Sequence, residues 1–520
     1  MPAINLDALT LDDVRGGALA GRPVTVLGLA RSGVALARFL HDAGASVTVY
    51  DGAPADRLER AIGLLGPRDV ALRIGPDVDP ASTWAGAELV ATSPSITHDF
   101  PTTEPRLRAQ LQALVDARAA GDPDAPELVT EADLFLRLCP APTIGVTGTK
   151  GKTTTSSLAH AILAADPLHP AALGGNIGTP LVERLPELTP DHRVVIELSE
   201  LQLPKLSRGT TVAVYTNVTS DHLDRHGTLE AYRRVKRRLA ELVDPDGALV
   251  LNLADPVVAA YAGLGTTPLV LYRNDPPVPG GVGVVDGWIV AAGVERLPLA
   301  GGGTAQTGAG GAIMPVEELA IPGAHNVSNA LAAISVGLLF GVAPDAIRRA
   351  ARAFAGVEHR LQTVAVLDGV RFVNDSQGTQ PDAVIAALRA FPEPVVLIAG
   401  GRDKGNDLRD LAAVAATHAH AAVLIGESGP MLESLFNAAG LARTTRAATL
   451  DEAVATAARL ARARLRDLPP GTTATVLLSP AAASFDMFED YAARGRAFID
   501  AVGRVASASR AASAGEGRDQ

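Results

Sequence analysis

The stretch TIGVTGTKGKTTTSSLAHAIL, residues 143–163, restricts the fold more than any other part of the chain. An apolar run enters a loop of glycine, threonine and lysine and leaves with helical spacing, the strand, loop and helix order by which a backbone wraps a phosphate. Gly148 and Gly151 let backbone N–H groups converge on phosphate oxygens, Lys152 can reach the terminal phosphates, and Thr153 is placed to hold a magnesium ion. The strict Walker spacing needs glycine at position 146, where this chain has Val146, so the loop is a variant. A glycine-rich turn before a helix also occurs in inert structure, but the Gly-Lys-Thr-Thr ending after an apolar strand favours a nucleoside triphosphate.

Around this loop the 520 residues divide into three expected α/β domains. In residues 1–140, Val24 to Leu29 reads as a buried strand, Gly28, Ala30 and Gly33 make a G-x-A-x-x-G turn, and a helix follows to Gly44. A second strand carries Asp51 at its end, and AELVATSPSI supplies a later one that delivers Ser93. This is a Rossmann-like start whose helix N-terminus accepts a diphosphate, or a tight turn needed only for packing; both readings stand. Residues 141–356 form a central P-loop domain with a strand or hairpin around GWIVAA. Residues 357–503 alternate strands (VRFVND, PVVLIAGG, AAVLIGE, TATVLLSP) with helical stretches, which predicts a second Rossmann-like, doubly wound sheet. Residues 504–520 are small and polar and are expected to be a disordered tail.

Within the central segment, RVVIELSELQL brings Glu197 to a strand end, where a phosphate-bound magnesium needs a carboxylate; the competing reading is a carboxylate paired with a nearby base. The following strand leads into TNVTSDHLDRHG, which gathers Asn217, Asp221, His222, Asp224 and Arg225 in one loop. In TLEAYRRVKRRLAELV the inward face at steps of three and four is Leu229, Tyr232, Lys236, Leu239 and Val243. Periodicity alone favours Lys236 snorkelling to water.

Lys plus Arg total 46 against 57 Asp plus Glu, a net charge of −11, and no basic run tracks a nucleic-acid backbone, so nucleic acid is not an expected partner. The one cysteine, Cys139, excludes an internal disulfide and fits a reducing compartment. No apolar run approaches the ~18 residues that cross a bilayer, and the acidic N-terminus lacks the basic flank of an export signal. A cytoplasmic protein without a membrane partner is expected.

The stretches TGTKGKTTT, GGNIG, IELSELQL, TNVTSDHLDRHGTLEAYRRVK, IPGAHNVSNALAA, GVEHRLQ, VNDSQGT and LLSPAAASFDMFEDYAARG follow one another in that order. Together they resemble the Mur ligases of peptidoglycan synthesis, and most closely those members that join D-glutamate to UDP-N-acetylmuramoyl-L-alanine with ATP. The likeness runs from about residue 24 to about residue 500.

The resemblance implies that the first domain binds the UDP-sugar rather than NAD, through Arg31, Ser32, Gly33 and Ser93. It implies that the central domain binds MgATP, and that the last domain closes over it with D-glutamate. By position, Gly148, Thr149, Lys150, Gly151, Lys152, Thr153 and Thr154 match the ATP loop. Asn176, Ser199, Asn326 and Asn329 fall at substrate and adenine-side positions, and Arg360 and Asp375 at ATP contacts of the last domain. Thr153, Glu197 and His222 match metal contacts for two magnesium ions, and Lys236 matches the lysine that the family carbamylates. A carbamate turns an inward cation into an anion that reaches the second ion, so Lys152, His222 and Lys236 become the catalytic candidates. Thr379, Lys404, Ser484, Phe485 and Tyr491 fall where the incoming amino acid is held. The implied reaction passes through an acyl phosphate, with His222 or a nearby carboxylate as base for the amine, in a monomer.

Three positions depart from the family pattern: Gln377 stands where a lysine is usual, Lys150 where asparagine is, and Glu200 where serine is. Other readings are a sister ligase for a different amino acid, a folylpolyglutamate-synthase-like enzyme, and a P-loop switch without ligase activity. The folate relative lacks a Rossmann start. A nicotinamide dehydrogenase rests only on Gly28 to Gly33 and Asp51 and leaves the phosphate loop unexplained.

Overall fold

The computed structural model describes residues 4–101, 103–219, 226–264, 268–321, 323–403 and 407–516. The chain forms two compact units, Met1–Phe354 and Ala355–Gln520. In the first unit, β1 (Pro23–Leu27), β2 (Ser46–Asp51), β3 (Ala71–Ile74), β4 (Leu89–Thr92) and β5 (Glu127–Thr130) form a parallel sheet in the order β3-β2-β1-β4-β5. The connection reverses direction between β1 and β4, which is where an open parallel sheet leaves a crevice at its strand ends. Gly28 and Ser93 follow those two strands directly.

The larger sheet of this unit contains β6 (Thr143–Thr147), β7 (Ala171–Gly175), β8 (Arg193–Glu197), β9 (Val212–Tyr215), β10 (Ala248–Asn252), β11 (Leu269–Tyr272), β12 (Val282–Val285), β13 (Trp288–Ala291) and β14 (Ala312–Pro315). Their order is β14-β13-β12-β11-β10-β9-β6-β8-β7, parallel except where β13 meets its two neighbours. β6, β8, β9 and β10 are buried along their whole length, as strands covered on both faces must be, which is why their sequences are nearly continuous apolar runs. The expected strand or hairpin is the hairpin of β12 and β13, joined through Asp286 (φ 47°) and Gly287 (φ 78°). One apolar core runs through both sheets: Leu36 and Leu40 of the helix Arg31–Asp42 belong to the same buried cluster as Leu181 and Leu185 beside β7.

The second unit is a six-stranded sheet of β15 (Gln362–Leu367), β16 (Val370–Asn374), β17 (Val395–Gly400), β18 (Ala419–Ile425), β19 (Thr444–Arg446) and β20 (Ala474–Leu478). Its order is β15-β16-β20-β17-β18-β19, antiparallel only between β15 and β16. This is the second doubly wound sheet expected from the sequence. The expected disordered tail is corrected in part: the helix Tyr491–Glu516 runs through it as far as residue 516. The stretch ASASRAASAGE holds five alanines and no proline, so its helix propensity carries on the turns that Phe498 and Val502 anchor in the core.

Gly33 fixes the entry of the first helix onto its sheet, because a Cβ there would lie 1.7 Å from the Gly28 carbonyl oxygen. Gly33→Ala is expected to cost about 2–3 kcal/mol through backbone displacement. Urea unfolding should show a lower midpoint with an unchanged slope; an unaltered midpoint would contradict the close approach.

Candidate active site

The phosphate loop is the turn from β6 into the helix Lys152–Leu163, and β6 lies between β8 and β9. Val146, where a longer loop would have glycine, is a fully buried strand residue, so the loop starts later. Side chains from the end of β9 clamp it. Thr216 Oγ1 and Asn217 Nδ2 both donate to the Lys150 carbonyl, at 2.6 and 2.9 Å, while the Lys150 N–H donates to Asn217 Oδ1 at 2.9 Å. The contact is tight enough that a Cβ on Gly148 (φ 148°) would sit 2.0 Å from Thr216 Oγ1. Thr149 adds a hydroxyl pair with Tyr232 at 3.0 Å.

No side chain caps the helix start at Gly151, so its first N–H groups are available to an anion, which the helix dipole also favours. The Lys152 ammonium lies over the loop, donating to the Gly148 and Thr149 carbonyls at 3.0 Å each. Thr153 is buried and Thr154 half-buried in the first turn. Behind the loop, Asn329 stands beside Gly151, its Oδ1 accepting from Thr155 Oγ1 at 3.3 Å and its Nδ2 donating to Asn326 Oδ1 at 3.2 Å.

Glu197 ends β8 next to Val146 in register, with only 1% of its surface exposed. Its Oε1 accepts from Asn176 Nδ2 at 2.8 Å, whereas its Oε2 is buried without a hydrogen-bond partner. Among the described residues, no base pairs with it. A buried carboxylate oxygen with no protein donor, beside a phosphate loop, fits a hard divalent cation. Among the described residues no cluster of three or more His, Cys, Asp or Glu gathers to hold a metal, so any ion here relies on other oxygen donors as well.

Lys236 does not snorkel. It is fully buried on the inward face of the helix Leu229–Glu241, with its Nζ 3.3 Å from Thr147 Oγ1 and 5.6 Å from the Tyr232 ring centroid. The Thr147 hydroxyl in turn donates to the Leu198 carbonyl at 2.8 Å, which ties Lys236 to the strand end carrying Glu197. His222, with Asp221, Asp224 and Arg225, lies outside the described residues.

At the first sheet, Ser93 Oγ is buried without a hydrogen-bond partner beside Gly28 and Gly33, and Ser32 is half-buried in a helix start with no side-chain cap. An orphaned hydroxyl and uncapped N–H groups at one crevice suit an anionic ligand. Arg31 reaches across to the larger sheet, donating to the Gly178 and Asn176 carbonyls at 3.1 and 3.3 Å. Asp51 is otherwise engaged: its oxygens accept from the Leu29 and Ala53 N–H groups at 2.8 and 2.9 Å. Ser199 holds Gln202 through its N–H at 2.9 Å and its hydroxyl at 3.0 Å.

The second unit has its own polar cluster. Burial pushes the Asp375 carboxyl up to about 6, against the opposing hydrogen bonds from Ser479 Oγ (2.6 Å) and the Leu361 N–H (3.2 Å) and the charge of Arg360, itself exposed. Ser484 is buried, while Phe485 and Tyr491 are exposed at 59% and 38%. Thr379 follows Gln377, whose Oε1 is buried and unpartnered, in the turn after Asp375; Lys404 lies outside the described residues. Sequence reasoning missed Arg494. Only 1% exposed, it donates from Nε to Ser376 Oγ (3.0 Å) and from Nη2 to the Ser376 carbonyl (2.9 Å), locking this turn to the helix Tyr491–Glu516. An arginine amid small residues in YAARG was the only available sign.

Residues 146–337 match the Mur ligase middle domain and residues 359–481 the Mur ligase glutamate ligase domain. The UDP-N-acetylmuramoylalanine–D-glutamate ligase of Pelotomaculum thermopropionicum is 36% identical over 484 residues, which cover 92% of this chain and 97% of that one. Its counterpart from Symbiobacterium thermophilum is 37% identical over 481 residues, with the same coverage of 92% and 97%. Among solved structures, MurF of Acinetobacter baumannii superposes with a TM-score of 0.53 at 15% identity, covering 96% of this chain and 100% of that one. MurC of Thermotoga maritima does so at 0.51 and 18%, covering 93% and 99%. The last two likenesses bear on the fold alone.

Asp375 generates a pH test. Its folded pKa lies above the ordinary 3.8, so its contribution to stability is complete below about pH 4 and is lost as pH rises through about 6. At 1.36 kcal/mol per unit, the loss is about 3 kcal/mol. Asp375→Asn should lack that loss, gaining on the wild type between pH 4 and pH 8 in urea unfolding. Parallel pH profiles would contradict the buried, charge-averse carboxyl.

Proposed function

The chain belongs to the Mur ligase family, and from that premise we infer that it joins D-glutamate to UDP-N-acetylmuramoyl-L-alanine with ATP, forming ADP and phosphate in peptidoglycan precursor synthesis. The carrying observation is the edge where β6 and β8 end. There an ammonium, an uncapped helix start and a buried carboxylate oxygen without a partner meet around a glycine loop.

The substrate carboxylate attacks the γ-phosphorus of ATP. A C–O–P linkage forms, the bond to the β-phosphate bridge oxygen breaks, and ADP leaves. The D-glutamate amine then attacks the acyl carbon, its proton passes to a base, and collapse of the tetrahedral intermediate expels phosphate and leaves an amide. The loop N–H groups and Lys152 donate to phosphate oxygens throughout, where preorganised donors in a water-poor site act most strongly. Arg31, Ser32, Gly33, Ser93, Asn176 and Ser199 hold the nucleotide sugar in this reading. Arg360 and Asp375 serve ATP, while Thr379, Lys404, Ser484, Phe485 and Tyr491 serve D-glutamate. Gln377 offers that amino acid a neutral contact in place of a charge-assisted one, about half as strong.

Thr153 and Glu197 would hold magnesium, joined by His222, and Lys236 would serve a second ion once carbamylated. Magnesium, when bound, offsets charge on the transferring phosphoryl oxygens. The carbamate reading is supported by position: Lys236 is fully buried beside Thr147, whose hydroxyl bonds the backbone next to Glu197, so a carbamate there would be an anion close to the ion that Glu197 would hold. His222 is our candidate for the amine's base. The three segments 1–140, 141–356 and 357–503 divide the labour among nucleotide sugar, ATP and amino acid, in a cytoplasmic monomer.

Phosphate release should require ATP, UDP-N-acetylmuramoyl-L-alanine and D-glutamate together. Release without any amino acid would favour a nucleotide switch, and release with another amino acid alone would point to a sister ligase. Lys236→Ala should lower kcat by about 100-fold or more, with partial recovery in short carboxylic acids. Full activity of that variant would remove the carbamate.

A further inference from the structure

β8 has two ends. Glu197 closes one at the phosphate loop, and Arg193 opens the other, four residues and roughly 13 Å away at strand spacing. Around Arg193 lies a cavity of about 480 Å³, between the segment that follows the helix Lys152–Leu163, the end of the helix Ala324–Leu339 and the loop after β13. Nothing in the ligase reaction uses it.

Three guanidinium groups line it: Arg193, Arg296 and Arg349. Among the described residues none of them has a carboxylate within ion-pair distance. Arg193 is 5% exposed. It donates from Nη1 only to the Asp191 and His192 carbonyls, at 3.3 and 3.1 Å, and stacks 5.2 Å above the Phe340 ring centroid. Its Nε, and that of Arg296, are buried with no hydrogen-bond partner. Burial pushes the Arg193 guanidinium down from its ordinary value, with Asp166 and Asp191 pulling the other way.

A chain with a net charge of −11 thus gathers three arginines at one cavity and leaves two of their buried donors unused. Burying a cation without an anion costs free energy that a bound anion returns, and paired N–H groups of guanidinium match phosphate or carboxylate oxygens. Asp166 and His169 also line it, so the local charge is three guanidinium groups against one carboxylate, and Phe340, Leu168 and Val342 supply apolar wall beside them. We propose that this cavity is a second ligand site, separate from the ligase centre, for a small organic anion carrying a doubly charged phosphate or paired carboxylates on a planar apolar body.

Phenyl phosphate is a suitable probe, titrated by calorimetry into the full chain saturated with MgADP so that the phosphate loop is already filled. One saturable site per chain with a Kd of about 0.1–1 mM is expected, weakening as salt is added. The double variant Arg296→Gln, Arg349→Gln should weaken it about tenfold or more while leaving the KM for ATP unchanged. Arg193→Lys, which keeps the charge but removes the Nε donor, should also weaken it. Absence of saturable binding up to about 10 mM, or binding that the double variant leaves intact, would overturn the site. In the latter case the probe sits elsewhere and the arginines serve only to dress the helix end and the Phe340 ring.

Discussion

Lys236 and Glu197 bring opposite charges to one edge of the nine-stranded sheet with 0% and 1% of their surfaces exposed, and burial of that kind is unfavourable by several kcal/mol unless partners are supplied. The protein supplies some of them. Thr147 bridges Lys236 to the backbone beyond Glu197, and Asn176 satisfies one carboxylate oxygen. The second carboxylate oxygen stays unsatisfied. A polar cluster left incomplete by the fold at the mouth of a phosphate loop is the arrangement expected where a cation and a triphosphate complete it.

The rest of the first unit serves to hold that edge still. β6 is pinned between β8 and β9, and the loop that leaves it is bonded on both sides of Lys150 by Thr216 and Asn217. The smaller sheet is joined to the same edge by Arg31, whose two bonds reach the turn that carries Asn176. One arginine therefore links the crevice beside Ser93 to the partner of Glu197. That link adds to the apolar core that joins the two sheets, and together they hold the acid to be activated and the phosphate that activates it in a fixed relation.

What the sequence made legible was local. The phosphate loop and the first crossover each announce themselves within about twenty residues, because a glycine conformation or an apolar period dictates them, while GWIVAA read only as a strand or a hairpin. Periodicity placed Lys236 inward yet could not decide whether its tip reaches water, since that depends on Tyr232 and Thr147 from elsewhere in the fold. The clamp by Asn217, the lock by Arg494 and the arginine cavity were illegible for the same reason: each joins residues tens to hundreds of positions apart. The tail misled by composition, because small polar residues with many alanines suit a helix once its first turns are anchored.

The central claim is that phosphoryl transfer makes a carboxylate reactive enough to be captured by an amine. It is tested most directly with UDP-N-acetylmuramoyl-L-alanine labelled with ¹⁸O in its carboxylate, turned over with ATP and D-glutamate. The account predicts that one labelled oxygen leaves the substrate and is found in the inorganic phosphate by mass spectrometry, in step with amide formation. Amide formed with phosphate free of label, or ATP consumed with no amide at all, would contradict it.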